Sequence, residues 1–170
     1  WSSDVCSSDL YILIATGSRP RYIPEISIDE EIIVTSNGIR NFKDFPESMV
    51  VLGAGVIGCE FATIFSNYGS TKVFLIDKAE RILPFEDEDI AETVTENLLA
   101  NGALVHHGAS LVRMEIKNGK VEYELKFKNN SNEIYVVEKA LISIGRIPNI
   151  ESLALENAGI KLNEKGAIWD

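Results

Sequence analysis

Two short runs of consecutive apolar residues enclose a segment in which apolar residues recur every three or four positions. The runs, 49–52 (MVVL) and 72–76 (KVFLI), predict strands of a parallel sheet that is covered on both faces. The segment between them, 56–68, predicts an amphipathic helix that ends at Gly69. The predicted apolar face of this helix consists of Ile57, Phe61, Ile64 and Phe65. The pattern therefore predicts a strand–helix–strand unit with a right-handed crossover.

Beyond residue 86 the pattern predicts a second helix, over 87–101, and then changes to a period of two. The helix ends at Gly102, and its predicted apolar face consists of Ile90, Val94, Leu98 and Leu99. Alternating apolar positions from 112 to 136, with turns at Asn118-Gly119 and at 129–132, predict a three-stranded antiparallel meander. Shorter predicted elements are a buried strand at 11–15, strands at 31–35, 103–105 and 140–144, a linker at 41–48, a short helix at 152–158 and a turn at 163–166.

Composition and charge favour a soluble globular protein and argue against several classes of partner. The chain has 170 residues, enough for a sizeable core, and a net charge of −10 from 26 acidic and 16 basic residues. Nucleic acids and anionic membranes require clustered Lys and Arg, so neither is an expected partner. No apolar run approaches the roughly 18 residues of a transmembrane helix. Two cysteines are too few for a disulfide scaffold, and without a secretory signal the expected compartment is a reducing cytoplasm.

The first ten residues, WSSDVCSSDL, do not fit the pattern of the rest of the chain. They lack the charged and apolar regions of a signal peptide. Residues 4–10 back-translate to GACGTGTGCTCTTCCGATCT, which is the DNA of a common short-read sequencing adapter. We therefore expect residues 1–10 to be a non-native scar without packed contacts, so that the natural chain extends further at its N-terminus. The alternative is a natural flexible N-terminus.

Three glycines, Gly53, Gly55 and Gly58, lie between the first strand and the first helix of the predicted unit. In this G-x-G-x-x-G pattern the first glycine permits the tight turn, the second lets a pyrophosphate approach the backbone, and the third lets the helix pack closely on the strand. The helix N-terminus offers free N–H groups and a partial positive charge to the pyrophosphate. The context predicts a dinucleotide site, and its alternative is a glycine-rich turn without a ligand.

Asp77 ends the second strand, 19 residues after Gly58. At this position a carboxylate accepts hydrogen bonds from the hydroxyls of an adenosine ribose. Because a carboxylate repels a 2′-phosphate, Asp77 predicts NAD rather than NADP as the ligand. Lys78 and Arg81 follow soon after, and two interpretations stay open for them: they partly offset the repulsion, or they belong to a solvated loop.

The remaining polar candidates have plainer interpretations. Glu60 is placed on the first turn of the helix, where it either contacts the ligand or compensates the helix dipole. Cys59 is expected to be a small buried residue and not a nucleophile. His106 and His107 lack nearby residues in metal-ligand spacing and are assigned to a strand end. The acidic run 86–89 is interpreted as a solvated helix start, so no metal site is predicted.

Four sequence motifs occur together in the order and spacing of one protein family. They are ATGSRP (15–20), VVLGAGVIGCEFATIF (50–65), RILP (81–84) and IGRIPN (144–149). By these motifs the chain resembles the central part of the FAD-dependent pyridine nucleotide-disulfide oxidoreductases, of the dihydrolipoamide dehydrogenase type. The resemblance covers residues 11–170.

The resemblance implies an α/β fold and a division into domains. The implied fold is a Rossmann-type parallel sheet with an antiparallel three-stranded meander, flanked by remnants of a discontinuous FAD domain. Residues 11–30 would end the first FAD-domain segment, 31–143 would form the NAD-binding domain, and 144–170 would begin the second FAD-domain segment.

The resemblance also implies which residues bind the two cofactors. FAD is expected near Thr16, Gly17 and Ser18. The residues expected to bind NAD or to line its site are Gly53, Ala54, Gly55, Val56, Ile57, Gly58, Glu60, Asp77, Val112 and Gly145. In the family, hydride passes from NADH to the flavin and on to a cysteine pair, or in the reverse direction.

Several parts of the family's pattern do not occur in this sequence. They are the N-terminal FAD motif, the redox Cys-x4-Cys pair, the second acidic FAD motif and the C-terminal domain with its catalytic His and Glu. We therefore expect an inactive, monomeric fragment without catalytic residues, from a protein that at full length is a homodimer with NAD(H) and FAD. One alternative is a soluble pyridine nucleotide transhydrogenase. Another is a non-catalytic NAD-binding module, and the flavin-side motifs argue against this second alternative alone.

Overall fold

The computed structural model describes residues 11–68, 71–164 and 166–168, and the chain divides into two units. The larger unit spans Pro20–Gly145, and the smaller unit combines the described residues up to Arg19 with those from Arg146 onward. The expected scar at 1–10 and the predicted helix stop at Gly69 lie outside the described residues. In the part of the chain that is described, no helix has the length and apolar character needed to cross a bilayer.

The described residues form ten strands, two α-helices and two short 3-10 helices. In chain order the strands are β1 (Ser18–Pro20), β2 (Ile33–Thr35), β3 (Ser48–Leu52), β4 (Lys72–Ile76), β5 (Leu104–His106), β6 (Ser110–Lys117), β7 (Lys120–Lys126), β8 (Asn132–Val137), β9 (Lys139–Ile142) and β10 (Arg146–Pro148). The α-helices are α1 (Val56–Tyr68) and α2 (Glu88–Ala100), and the 3-10 helices cover Gly38–Asn41 and Leu155–Ala158.

The centre of the larger unit is a parallel sheet of five strands in the order β2-β9-β3-β4-β5. Successive residues of β3 face opposite sides of this sheet. Met49 and Val51 share a core with buried residues of α1 and α2, whereas Val50 and Leu52 share a core with the antiparallel sheet of β6, β7 and β8. Both faces are therefore covered, which explains the almost uninterrupted apolar sequence of β3 and β4. The predicted α/β class, with a parallel sheet and a meander, is confirmed.

Helix α1 has its predicted bounds, but only part of its predicted apolar face is confirmed: Phe65 is buried and Phe61 packs against the core. The residues that α1 buries are Gly58, Cys59, Ala62 and Phe65. Ile64, which the pattern placed on the buried face, is exposed, and Ile57 and Phe61 are only half-buried. Small side chains let the helix approach the sheet closely, so the line of contact includes Gly58 and Ala62 beside Phe65.

Helix α2 lies within one residue of its predicted bounds at each end. Gly102, in the left-handed region at φ 84°, follows the helix as predicted. The predicted face is again partly confirmed, since Leu98 is buried and Val94 packs against the core. The predicted Ile90 and Leu99 are exposed, and Ala91, which was not predicted, is buried. An alanine adds little to a hydrophobic pattern, yet its small side chain fits where the helix lies close to its neighbours.

The antiparallel meander of β6, β7 and β8 is confirmed. Its first turn consists of Asn118 and Gly119, both with positive φ (52° and 75°), as a two-residue type I′ turn requires. The alternating residues of β7 that face the core are fully buried: Val121, Tyr123 and Leu125. The period of two in the sequence therefore reflects a sheet with one core face and one solvent face.

The buried strand predicted at 11–15 does not form. The exposed fractions of Tyr11, Ile12 and Leu13 are 93%, 78% and 88%. In the smaller unit β1 pairs with β10, and within the described chain the run 11–15 has no strand beside it. An apolar run becomes a strand only where a neighbouring strand supplies its backbone hydrogen bonds. The helix predicted at 152–158 likewise shortens to the 3-10 turn Leu155–Ala158.

A carboxylate organises the turn that leads into β2. Asp29 Oδ1 accepts hydrogen bonds from the N–H groups of Glu31 (3.0 Å), Ile32 (2.8 Å) and Ile33 (2.9 Å). Partial burial by itself would raise the pKa of Asp29, but these three donors outweigh it and hold the pKa below its ordinary value. The ionised form of Asp29 therefore stabilises the fold.

We expect Asp29→Ala to lower the free energy of unfolding by about 1 kcal/mol at pH 7, the usual net effect of losing an exposed set of hydrogen bonds. Because the folded pKa is depressed, this contribution is complete above the unfolded pKa of about 3.9 and is lost as the pH falls through the folded value. Urea unfolding from pH 7 to pH 3 measures the difference. Glu25→Ala removes an exposed carboxylate nearby and is the control; an equal loss of stability in both variants would contradict the prediction.

Candidate functional site

A turn of three residues, 53–55, which we call the glycine turn, connects β3 to α1 at the end of the parallel sheet. Gly53 has φ 102°, a conformation that side-chain-bearing residues rarely adopt, and a Cβ on it would lie 2.5 Å from the Ser143 carbonyl oxygen. Its N–H donates to the carbonyl oxygen of Ile76 at the end of β4 (2.8 Å). Only glycine fits this position.

Gly58, in the first turn of α1, lies directly against the same turn. A Cβ on Gly58 would overlap the Gly53 carbonyl oxygen and would lie 2.9 Å from Ser143 Oγ. This is the close packing of helix on strand that the spacing of the glycines predicts. The approach is between backbone atoms, so no side-chain rotation relieves a larger residue here.

Gly55 is different, because a Cβ built on it would meet no described atom within 4 Å. The first helical hydrogen bond runs from the Cys59 N–H to the Gly55 carbonyl oxygen (2.9 Å). The N–H groups of Val56, Ile57 and Gly58 therefore have no acceptor one turn earlier in the helix. Free N–H groups, the positive end of the helix dipole and open space beside Gly55 together form a site suited to a phosphate group.

The carboxylate of Asp77 lies at this turn, directly after β4. Its Oδ2 accepts a hydrogen bond from the Ala54 N–H (2.6 Å), and its Oδ1 accepts one from the Ala79 N–H (2.8 Å). A carboxylate has room for about four donors, so each oxygen retains acceptor capacity. Asp77 thus has a structural role that the sequence did not suggest, in addition to its predicted position beside the glycine turn.

Arg81, in the loop after Asp77, forms hydrogen bonds within that loop. Its guanidinium donates to the carbonyl oxygens of Leu83 (2.9 Å), Pro84 (3.3 Å) and Glu86 (2.8 Å). The half-exposed Arg81 therefore holds its own loop together, a role that neither interpretation of the sequence gave it. Lys78 is exposed, in agreement with the solvated-loop alternative.

Ser143, which follows β9, also belongs to the site, although it was not predicted from the sequence. Its Oγ lies within hydrogen-bond distance of the carbonyl oxygens of Gly53 (2.8 Å) and Leu52 (3.0 Å), to which the hydroxyl donates. The carboxyl ends of parallel strands meet at one edge of a sheet, and the sequence placed a strand at 140–144. That strand end was the one signal in the sequence that pointed to Ser143.

Two residues near the start of α1 have no nucleophilic or helix-capping role. Burial, with a smaller effect of the Asp77 charge, raises the pKa of the Cys59 thiol to about 12. The thiol is therefore protonated at neutral pH and donates to the Ala54 carbonyl oxygen (3.5 Å), which agrees with the prediction of a small buried residue. Glu60 is exposed and is the fifth residue of α1, so its predicted place on the first turn is wrong.

His106 is part of an aromatic cluster and not of a metal site. Its ring stacks on Phe74 (centroids 6.4 Å apart) and contacts the rings of Phe127 (5.7 Å) and Tyr135 (5.8 Å). Its half-buried position lowers the pKa of the imidazole. The described residues contain no group of three or more His, Cys, Asp or Glu that could hold a metal ion.

The other residues that the resemblance implicated lie in separate parts of the chain. Val112, half-exposed, lies at a bulge of β6. Gly145 has φ 107°, and its carbonyl oxygen accepts from the Arg21 N–H (3.0 Å). In the smaller unit, Ser18 Oγ accepts from Arg146 (2.7 Å) and the Gly17 carbonyl oxygen accepts from the Asn149 N–H (3.0 Å). Cofactor contacts of these residues, and of Thr16, stay predictions.

The sequence as a whole matches one known family. The profile described as Pyridine nucleotide-disulphide oxidoreductase covers residues 8–169. The chain belongs to this family. Among the oxidoreductases of the family, the dihydrolipoyl dehydrogenase of Bacillus subtilis is 36% identical over 162 residues, which are 91% of this chain and 33% of that protein. The soluble pyridine nucleotide transhydrogenase of Stutzerimonas stutzeri is 37% identical over 156 residues, 92% of this chain and 32% of that protein.

A solved structure of a flavoprotein disulfide reductase has a similar fold. The HOCl-induced flavoprotein disulfide reductase RclA of Escherichia coli, in its Cu(II) complex, superposes with a TM-score of 0.76 at 33% identity. The match covers 91% of this chain and 34% of the reductase. The chain therefore spans about a third of the length of the oxidoreductases that it matches.

Proposed function

We propose that this chain is the NAD-binding portion of a flavoprotein oxidoreductase of the dihydrolipoamide dehydrogenase type. In the longer protein it would hold NAD(H) while hydride passes between the nicotinamide and FAD. The 170-residue chain alone would bind NAD(H) without catalysing a reaction, because the redox cysteine pair and the catalytic His and Glu of the family do not occur in its sequence.

The observation that carries this proposal is the bond between Asp77 and Ala54. It places a carboxylate with free acceptor capacity beside a turn whose next residue, Gly55, faces open space. A dinucleotide needs both features, since its pyrophosphate requires N–H donors without a side chain in the way and its ribose requires an acceptor. A glycine-rich turn without a ligand would have no need for open space at Gly55.

The proposed ligand is NAD(H) and not NADP(H). Asp77 would accept hydrogen bonds from the two ribose hydroxyls, whereas a 2′-phosphate would meet its negative charge and remove one donor. Lys78 and Arg81 are the cations that follow soon after Asp77 in the sequence, and only Arg81 is not fully exposed. Its guanidinium donates to three backbone carbonyl oxygens instead.

We expect NADH to bind the 170-residue chain about ten to a hundred times more tightly than NADPH, the effect of one charge-assisted hydrogen bond. Titration of the chain with each nucleotide, followed by nicotinamide fluorescence, gives the two dissociation constants. Absence of saturable NADH binding by the folded chain would refute the proposed function. Tighter binding of NADPH would refute the role given to Asp77.

Soluble pyridine nucleotide transhydrogenase is a second candidate, because a relative of that name is as similar to this chain as the dehydrogenases are. An enzyme that passes hydride between nicotinamide nucleotides has to accept both of them. Comparable affinities for NADH and NADPH would therefore favour the transhydrogenase, and a strong preference for NADH would favour the dehydrogenase. A complete redox cysteine pair in the adjoining gene sequence would independently favour the dehydrogenase.

A further inference from the structure

The loop 81–86 contacts the glycine turn through its backbone. The Leu83 N–H donates to the Ala54 carbonyl oxygen (2.8 Å). Ala54 is the residue whose own N–H is held by Asp77, so the two peptide groups that flank Ala54 are fixed from two directions. Loop 81–86 is thus a second support of the turn, beside β4.

Leu83 makes this contact in an unfavourable backbone conformation. Its φ is 46°, in the left-handed region that leucine rarely adopts, and its side chain is buried in the same core as Ala54 and Cys59. Such a conformation persists only where the surrounding structure determines it. The Leu83 carbonyl oxygen accepts from the Glu86 N–H (3.0 Å) and from the Arg81 guanidinium (2.9 Å), and these bonds hold the peptide group in place.

The guanidinium of Arg81 is the common element of the loop. It reaches the carbonyl oxygens of three residues, Leu83, Pro84 and Glu86, which otherwise share no regular secondary structure. Arg supplies several N–H donors in a rigid planar fork, whereas Lys offers a compact charge on a flexible stem. One side chain therefore fixes the path of the whole loop.

We propose that Arg81 is a positioning residue for nucleotide binding, which acts through Leu83 on Ala54 and does not touch the nucleotide. The proposal rests on the proposed function, because it assumes that the glycine turn binds NAD(H). Its consequence is that Arg81 serves the part of the site common to both nucleotides. Loss of Arg81 weakens the binding of NADH and of NADPH by the same factor. Loss of a side chain that contacts the 2′-phosphate would weaken the binding of NADPH alone.

The test uses the 170-residue chain and the variants Arg81→Met and Arg81→Lys, with Lys78→Met as the matched loss of an exposed charge. We expect Arg81→Met to lower the affinity for each nucleotide about fivefold, because one positioned hydrogen-bond network is lost. Arg81→Lys should recover only part of the lost affinity. Lys78→Met leaves NADH affinity within about twofold. Titrations well below the thermal midpoint of each variant separate positioning from a loss of folded protein. A selective loss of NADPH, or unchanged affinity for both nucleotides, overturns the proposal.

Amide hydrogen exchange of Leu83 provides a readout that does not need a ligand. We expect its N–H to exchange faster in Arg81→Met and in Arg81→Lys, while the core amide of Tyr123 is unchanged. If the unmodified chain binds no NADH, the proposed function fails but this measurement still decides whether Arg81 holds Leu83 to the turn. Unchanged exchange at Leu83 in Arg81→Lys, the variant more certain to fold, contradicts the proposal.

Discussion

Gly58→Ala is expected to abolish NADH binding and to lower the free energy of unfolding by about 3 kcal/mol, at the upper end of what overpacking costs. The added Cβ would overlap the Gly53 carbonyl oxygen and crowd Ser143 Oγ, so α1 and the glycine turn have to move apart. Urea unfolding gives the stability, and NADH titration gives the affinity. A variant that unfolds at the same urea concentration as the unmodified chain would show that the turn and helix are not in such close contact.

Gly55→Ala is the matched control, since it adds the same methyl group three residues away into open space. We expect its stability to change by less than about 0.5 kcal/mol, as for surface substitutions away from special features. Its NADH affinity should nevertheless fall, because the new Cβ occupies the space through which a pyrophosphate reaches the backbone. Together the two variants distinguish a glycine needed for folding from one needed for the ligand.

Asp77→Ala is expected to lower the affinity for NADH by roughly a hundredfold or more, because it removes both the ribose acceptor and the acceptor of the Ala54 N–H. Reduced nicotinamide mononucleotide, which has no adenosine ribose, separates the two effects. Its affinity should fall only by the part that results from loosening the turn. Titrations of the variant with both compounds measure the difference.

Glu80→Ala is the control for the loss of negative charge near Asp77. Glu80 is exposed and pairs with Lys128. We expect its NADH affinity to stay within about twofold of that of the unmodified chain. Equal effects of Glu80→Ala and Asp77→Ala would mean that the general charge of the loop, and not the placement of the Asp77 carboxylate, determines affinity.

Local sequence determined much of the architecture. The spacing of Gly53, Gly55 and Gly58 placed the turn and the start of α1 correctly, because Gly53 needs a positive φ and Gly58 lies against the Gly53 carbonyl oxygen only five residues away. Asn118 and Gly119 likewise identified the first turn of the meander, since few residues other than these accept the left-handed conformation.

Contacts between distant segments could not be predicted from the sequence. Ser143 lies 90 residues from Gly53, and no periodicity connects them. The hydrogen bond from Leu83 to Ala54 could not be predicted because it joins two backbone groups, which do not depend on the type of residue. The buried faces of α1 and α2 were only partly predicted for a related reason. A hydrophobic pattern depends on large side chains, whereas close helix packing also buries the small residues Gly58, Ala62 and Ala91.

The position of β9 in the parallel sheet affects the order in which the chain assembles. β9 lies between β2 and β3, pairing Leu141 with Val34 on one side and with Val51 on the other. During synthesis β2 and β3 therefore have no common partner until the meander has been made. The meander consists of local hairpins, which close quickly, and β8 ends only two residues before β9 begins. The antiparallel sheet thus precedes the strand that joins β2 to β3, and the glycine turn gains its Ser143 support only when β9, the last strand of the parallel sheet, has been inserted.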